Sequence, residues 1–307
     1  MKAGKRDPHD HVALNVALYG PGARRWAMTE RGRAALAQGE DHLVIGPSSV
    51  RWDGNCLAFD IRERGAVLGE RVEGRVRIWP EALAGAGYDL DPEGRHRWQP
   101  IATRARVELA CERPALSWSG DAYVDSNFGT EPMEARFRDW QWARAHVGEA
   151  SAVFYEGLRL DGSRFELALG FDRHGRAEPI EQPPLVRLPR TRWAMPRAAR
   201  SEGAARVVRT WEDTPFYARS ALGLELQGQP VLAVHESLSL VRFIHPSVQW
   251  MIGWRMPRRK SWSEQGSVPS SASASRRLSA RTSLTLLSCH TPNPSASPAT
   301  RTSSTRP

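Results

Sequence analysis

From residue 11 onward the apolar residues recur mostly at every second position, in short runs separated by Gly, Pro, Asp and Asn. Such a period sends alternate side chains to opposite faces of an extended strand, so each run predicts a strand with one buried face. Val50, Trp52, Leu57, Phe59 and Ile61 flank Asp53-Gly54, a pair that tolerates the positive φ of a two-residue hairpin turn. A second hairpin is predicted around Asp161-Gly162, with Phe165, Leu167, Leu169 and Phe171 alternating after it. A third runs through Leu222, Leu224 and Leu226 to Gly228-Gln229-Pro230, then Leu232 and Val234. Helical patterns are few, and Met133, Phe137 and Trp140 fit a short helix as well as a strand. The pattern therefore predicts an all-β protein of antiparallel sheets, sandwich or barrel. A proline-rich seam over residues 178–196 offers a boundary between domains at 1–178 and 179–259.

Composition changes this picture at the C-terminus. Residues 261–307 hold 14 Ser with almost no aromatic residues, too little apolar surface to offset the entropy of ordering, so 260–307 is expected to be a disordered tail. The net charge of +9 sits mostly there: residues 257–307 carry eight Lys and Arg against Glu264 alone, leaving +2 on the first 256 residues. A basic balance confined to a tail does not make the body a nucleic-acid binder, and no nucleic-acid partner is expected. Cys56, Cys111 and Cys289 have neither the spacing of a zinc site nor an even count, which favours a reducing compartment. The first residues lack the apolar core of a secretory signal, and no run of eighteen apolar residues appears.

Searches for known chemistry return little. The chain has no phosphate-cradling P-loop, dinucleotide fingerprint, nucleophile elbow or zincin helix, and no cofactor is expected. His9, Asp10 and His11 have ligand-like side chains, but their place near a terminus reads as solvated, and no metal site is expected. A pair of carboxylates for glycoside hydrolysis could be drawn from Asp125, Glu131, Glu134 and Asp139, although nothing in the sequence sets their separation.

The unusual segment is 118–142, where Trp118, Tyr123, Phe128, Phe137, Trp140 and Trp142 are interleaved with Asp121, Asp125, Glu131 and Asp139. If residues 118–125 form a strand, Asp121, Tyr123 and Asp125 share one face. An acid among aromatic rings is equipped to protonate an apolar substrate. The same residues also serve as a β core with Asp125-Ser126-Asn127-Phe128-Gly129 as a turn, and residue chemistry leaves both readings open.

The segments His11-Val12-Ala13-Leu14-Asn15-Val16-Ala17-Leu18-Tyr19-Gly20, Arg25-Trp26-Ala27-Met28-Thr29-Glu30-Arg31-Gly32, Ala122-Tyr123-Val124-Asp125-Ser126-Asn127-Phe128-Gly129-Thr130-Glu131-Pro132 and Phe137-Arg138-Asp139-Trp140-Gln141-Trp142 resemble the carotenoid 1,2-hydratases of phototrophic bacteria. The likeness extends over residues 3–259. It implies two lipocalin-like β domains and a cofactor-free addition of water to the terminal C1,C2 double bond of an acyclic carotenoid such as neurosporene or lycopene. It also implies that the acid is Asp125 of Tyr123-Val124-Asp125, assisted by Tyr123 and by His96 and Trp98 of His96-Arg97-Trp98. Trp118, Asn127 and Glu131 complete the expected substrate and water contacts. Relative to the family, strands preceding Ala3 are missing and the Ser-rich end is atypical, so an incomplete first domain is expected. A polyene substrate implies peripheral attachment to the cytoplasmic face of the inner or photosynthetic membrane. The other reading of the same pocket is a lipocalin-like carrier that holds pigment without chemistry.

Overall fold

The computed structural model describes residues 7–20 and 22–259, with the backbone of a strand at Ser283–Cys289. Two large antiparallel sheets organise them. The first runs Ser283–Cys289, Leu116–Gly129, His96–Arg113, Arg71–Pro80, Leu57–Arg64, Ser48–Trp52, His42–Ile45, Leu36–Gln38, with Tyr88–Asp89 also paired to His96–Arg113. The second runs Ala177–Pro179, Arg164–Phe171, Ala150–Arg159, Phe137–Val147, Gln229–Ser239, Tyr217–Leu226, Arg206–Asp213. This is the all-β, antiparallel class that the two-residue period predicts.

The seam is not the break between sheets. Phe137–Val147 pairs with both Ala150–Arg159 and Gln229–Ser239, so residues on either side of 178 share one sheet. The chain changes sheets in residues 130–136, and the seam instead contains a small ribbon, Leu185–Leu188 paired with Arg197–Arg200. The expected tail at 260–307 lies outside the described residues, apart from Ser283–Cys289, which pairs antiparallel along Leu116–Gly129.

All three predicted hairpins form, with turns that differ in length. Trp52 pairs with Leu57, so the first loop is four residues long. The Asp53 carboxylate accepts the Asn55 N–H at 3.4 Å, the bond of an Asx turn, and the Cys56 N–H at 2.8 Å, which together close the loop. The third loop is the shortest: Leu226 pairs with Gln229, and Gln227 and Gly228 have φ of +52° and +68°. Those are the dihedrals of a type I′ turn, in which Gly228 is at ease and Gln227 is not. The ambiguous segment resolves into a 3-10 turn at Met133–Ala135 followed by the Phe137–Val147 strand. The two helices, α1 at Leu240–Phe243 and α2 at Pro246–Arg255, lack a distinctive pattern in the sequence. Their only advance signals are Ser239, which caps α1, and Pro246 in the first turn of α2.

Three cores follow from which faces are covered. Phe59, Ile61, Val72, Ile78, Val107 and Leu109 pack on one side of the first sheet. Trp98, Tyr123, Phe137, Trp142, Val153 and Tyr155 fill the space where the two sheets meet. Ala145, Phe154, Leu188, Leu222 and Ala233 lie on the far side of the second sheet. Strands of the first sheet alternate buried and exposed positions, as at Leu57–Arg64. Residues 122–126, 151–155 and 233–237 are instead buried without interruption, because both faces of those strands are covered. The candidate site lies there.

Candidate active site

Strand parity explains which residues meet. Along Leu116–Gly129 the even positions Trp118, Ala122 and Val124 face the core of the first sheet. The odd positions face the other way: Asp121 is exposed, and two residues on Tyr123 is fully buried because the second sheet covers that face. Asp125 and Asn127 continue on this side. Trp98 pairs with Asn127 across the ribbon, so its indole arrives on the same side.

The result is a carboxyl group enclosed by rings. Asp125 is 4% exposed, and its Oδ2 accepts hydrogen bonds from Trp98 Nε1 at 2.7 Å and from the Tyr123 hydroxyl at 3.1 Å. Its Oδ1 has no hydrogen-bond partner among the described residues. Burial pushes the carboxyl up from 3.8 to about 7. The Trp98 hydrogen bond opposes this rise, the charge of Glu236 adds to it, and the Tyr123 hydrogen bond and Arg144 oppose it. A carboxylic acid near neutrality with one uncommitted oxygen is a group able to hand over a proton.

That group lies on the wall of a cavity of about 430 Å³. Trp140, Trp142 and Tyr155 supply much of the aromatic surface, Trp26 and Met28 close another side, and Val248, Met251 and Ile252 of α2 form the roof. The rings brace one another. Tyr123 and Trp142 centroids are 5.2 Å apart, Trp98 meets Tyr155 edge-on at 5.8 Å, and Trp140 meets the same Tyr155 at 5.5 Å. Each such contact is worth about 0.5–1.5 kcal/mol beyond area burial, which holds the cage rigid. Asn127 Oδ1 and the indole nitrogens of Trp140 and Trp142 are buried on this wall without partners among the described residues. They are polar points in an otherwise apolar lining, suited to a water molecule or hydroxyl.

Across the cavity from this acid the wall changes character. Glu236 is buried beside Arg219, whose Nε donates to Oε1 at 3.0 Å and whose Nη2 lies 2.9 Å from the same oxygen as an ion pair. Arg219 Nη1 also donates to the Tyr19 hydroxyl at 3.1 Å. Glu236, Arg219 and Tyr217, with its own unpartnered hydroxyl, all line the cavity. Sequence reasoning missed this set. The only signal was the charge of Arg219 and Glu236 just beyond the apolar alternation of the third hairpin, in the parts of the Tyr217–Leu226 and Gln229–Ser239 strands that the alternation does not reach.

The other sequence-derived residues fall elsewhere. His96 is buried but does not line the cavity; its Nδ1 faces Asp91 Oδ2 and its Nε2 faces the Glu131 carbonyl oxygen, both at 3.1 Å. Burial pushes Asp91 up, but N–H groups of Arg95 and His96 outweigh it and hold the carboxylate below its usual value. His96 thus ties the loop before its strand to the segment after Gly129. Trp118 packs against the first core, since even parity turns it from Asp125, and it takes no part in the cavity. Glu131 is held by Arg95 at 3.1 Å and Arg136 at 2.5 Å and does not line the cavity. Neither Glu131, Glu134 nor Asp139 joins Asp125 on that wall, so the hydrolytic pair drawn from those residues is not assembled. Near the N-terminus, Asp10 and the Glu30 partner of His11 are both bound by Arg258. Among the described residues no cluster of three or more His, Cys, Asp or Glu is placed to hold a metal ion.

An all-β protein with a neutralised acid in an aromatic cavity is the class that the geometry defines. Comparison makes it specific. The family model "Carotenoid hydratase CrtC" matches residues 1–265, and the chain belongs to that family. It is 48% identical over 260 residues to the acyclic carotenoid 1,2-hydratase of Thiocapsa roseopersicina and 47% identical over 262 residues to that of Rubrivivax gelatinosus. Each alignment takes in 84% of this chain and 64% of the relative, so the chain spans less than two thirds of those proteins. Against the acyclic carotenoid 1,2-hydratase of Cereibacter sphaeroides it is 40% identical over 264 residues, 85% of this chain and 94% of that one.

Proposed function

We propose that the protein adds water across the terminal C1,C2 double bond of an acyclic carotenoid such as neurosporene or lycopene, with Asp125 as the acid. The observation that carries this reading is the Asp125 carboxyl: raised to about 7, held through Oδ2 by two neutral donors, without a partner at Oδ1 among the described residues, and set in an aromatic cavity wall. An isolated trisubstituted alkene is a weak base, so the acid must remain protonated until substrate is bound. The proton passes from Asp125 to the less substituted alkene carbon, C2, and the electron pair of the double bond forms the new C–H bond. C1 becomes a tertiary cation. The faces of Trp142, Trp140 and Tyr155 stabilise it by about 0.5–2 kcal/mol each. Water attacks C1, and the proton it sheds returns to the Asp125 carboxylate, so the cycle consumes one alkene and one water and needs no cofactor.

Asn127 Oδ1 and the Trp140 and Trp142 indole nitrogens are the groups that orient that water. Trp98 and Tyr123 set the acidity and direction of Asp125, and His96 acts at one remove by fixing the backbone around Gly129. A polyene reaches such a site from a bilayer, so the protein works as a peripheral protein on the cytoplasmic face of the membrane that holds it.

The test is the pigment profile of cells that accumulate neurosporene or lycopene and express this chain or Asp125→Asn. Wild type should convert pigment to a product heavier by one water, and the variant should convert about 10³-fold less or worse. Unconverted pigment that copurifies equally with both proteins would identify a carrier instead.

A further inference from the structure

Helix α2 is apolar on two sides. Val248, Met251 and Ile252 face the cavity, whereas Trp250 and Trp254 face outward at 67% and 69% exposure with ring centroids 5.8 Å apart. Val241 in α1 and Ile244 at its C-cap are 48% and 53% exposed, and Trp193, on the rim of the same cavity, is 50% exposed. Single exposed apolar residues are ordinary, but three tryptophans and two aliphatic side chains on the adjoining α1, α2 and Trp193 loop form a patch that asks for an apolar neighbour. A helix with apolar residues on all sides is stable where both sides are covered.

The charge around this patch selects the neighbour. Residues 237–259 contain no Asp or Glu and four Arg. Arg258 is spent on Asp10 and Glu30, but Arg242 joins α1 to the rim by donating to the Trp193 carbonyl at 2.8 Å, and Arg190 and Arg192 on that rim are exposed. Tryptophan at the rim with arginine around it is the composition of surfaces that rest in the headgroup layer of an anionic bilayer. The patch also lies over the cavity roof, so a surface that docks there brings lipid to the mouth.

We propose that α1, α2 and the Trp193 loop form a bilayer-docking surface for anionic lipid, and that the Asp125 cavity opens directly onto that membrane. This deepens the carotenoid reading in what passes through the mouth, but docking is measurable without substrate. The probe is flotation of the full chain with phosphatidylcholine vesicles containing phosphatidylglycerol, at low and high salt. Wild type should float with these vesicles, less so at high salt or with phosphatidylcholine alone. The double variant Trp250→Ser/Trp254→Ser should partition more than about tenfold more weakly, while Leu232→Ser, which alters an exposed apolar side chain at the hairpin end of Gln229–Ser239, opposite the end from which α1 leaves, should float like wild type. Since neither tryptophan lines the cavity, the double variant should hydrate detergent-dispersed substrate at the wild-type rate. Equal flotation of the double variant, or no flotation of wild type, would overturn the proposal. So would a dimer of wild type that the double variant abolishes in the absence of vesicle binding, which would give the face to a second copy of the chain. Asp125→Asn should float normally, so a failure of the chemistry and a failure of docking give different results.

Discussion

Asp125 and Glu236 are both buried carboxyl groups on the wall of one cavity, yet they are accommodated by opposite means. Glu236 sits against Arg219 and has its charge compensated by one hydrogen bond from Nε and an ion-pair contact from Nη2 to the same oxygen. Asp125 is given only neutral donors, Trp98 and Tyr123, with the Arg144 cation over the far face of Tyr123 at 5.1 Å from its centroid. A buried carboxyl beside a guanidinium is committed to its charge and has no proton to give. One surrounded by rings and N–H or O–H dipoles stays near the balance point between its two forms. Moreover, the charge of Glu236 pushes Asp125 up, so the paired group helps to hold the unpaired one in its acid form.

Asp125→Asn breaks this comparison most severely. Beyond the loss of conversion, it should change stability in a pH-dependent way. The carboxyl is raised from 3.8 to about 7, so between those values the folded protein retains a proton that the unfolded chain has released. That contribution is fully present below pH 3.8 and is lost as pH rises through the window, by a limit of about 4 kcal/mol above it. The amide oxygen of Asn can still accept from Trp98 and Tyr123, and it never ionises. The variant should therefore gain on wild type in thermal unfolding from about pH 5 to about pH 8 while losing activity. An advantage that is the same at both values would show that Asp125 is not strained by its charge.

Arg219→Met tests the other half. It leaves Glu236 buried without its partner and should cost about 3 kcal/mol or more in denaturant unfolding at neutral pH. Adding Glu236→Gln should recover much of that loss, because the unpaired charge is gone. The two carboxyl groups thus respond in opposite directions: removing charge at Asp125 stabilises a solitary group, whereas removing the partner of Glu236 destabilises a paired one.

How far the sequence discloses this arrangement depends on the range of the interactions. The hairpins were legible because turn residues and alternation are local, and even there the loop lengths at Asp53 and Gln227 were set by Asx capping and backbone φ that spacing alone does not reveal. The Tyr123 and Asp125 face was legible for the same reason. Trp118 offers the aromatic chemistry of a site residue, but its even position turns it to the opposite face, into the first core. The assignment of strands to sheets was not local at all: Phe137–Val147 joins Gln229–Ser239 across some ninety residues, and a proline-rich seam lies between them without separating them. Helix α2 escaped because its outer tryptophans conceal the amphipathic pattern, a consequence of carrying apolar residues on both faces.

The finest test of the comparison is Trp98→Phe. The 2.7 Å bond from Nε1 favours the charged form of Asp125 and is the largest influence opposing the rise from burial. Phe keeps a ring in the space but donates nothing, so the carboxyl should rise further. A hydrogen bond to a charged group contributes about 1.5–3 kcal/mol, part of which the neutral acid also enjoys, so the rise should be about one pH unit. If the proposed acid works protonated, hydration by wild type should decline as pH rises through about 7, and the declining limb of the variant should lie about one unit higher. The maximal rate should also fall, since only Tyr123 then orients Oδ2. A limb that does not move would mean that Trp98 positions the acid without tuning it, and that the neutrality of Asp125 rests on burial alone.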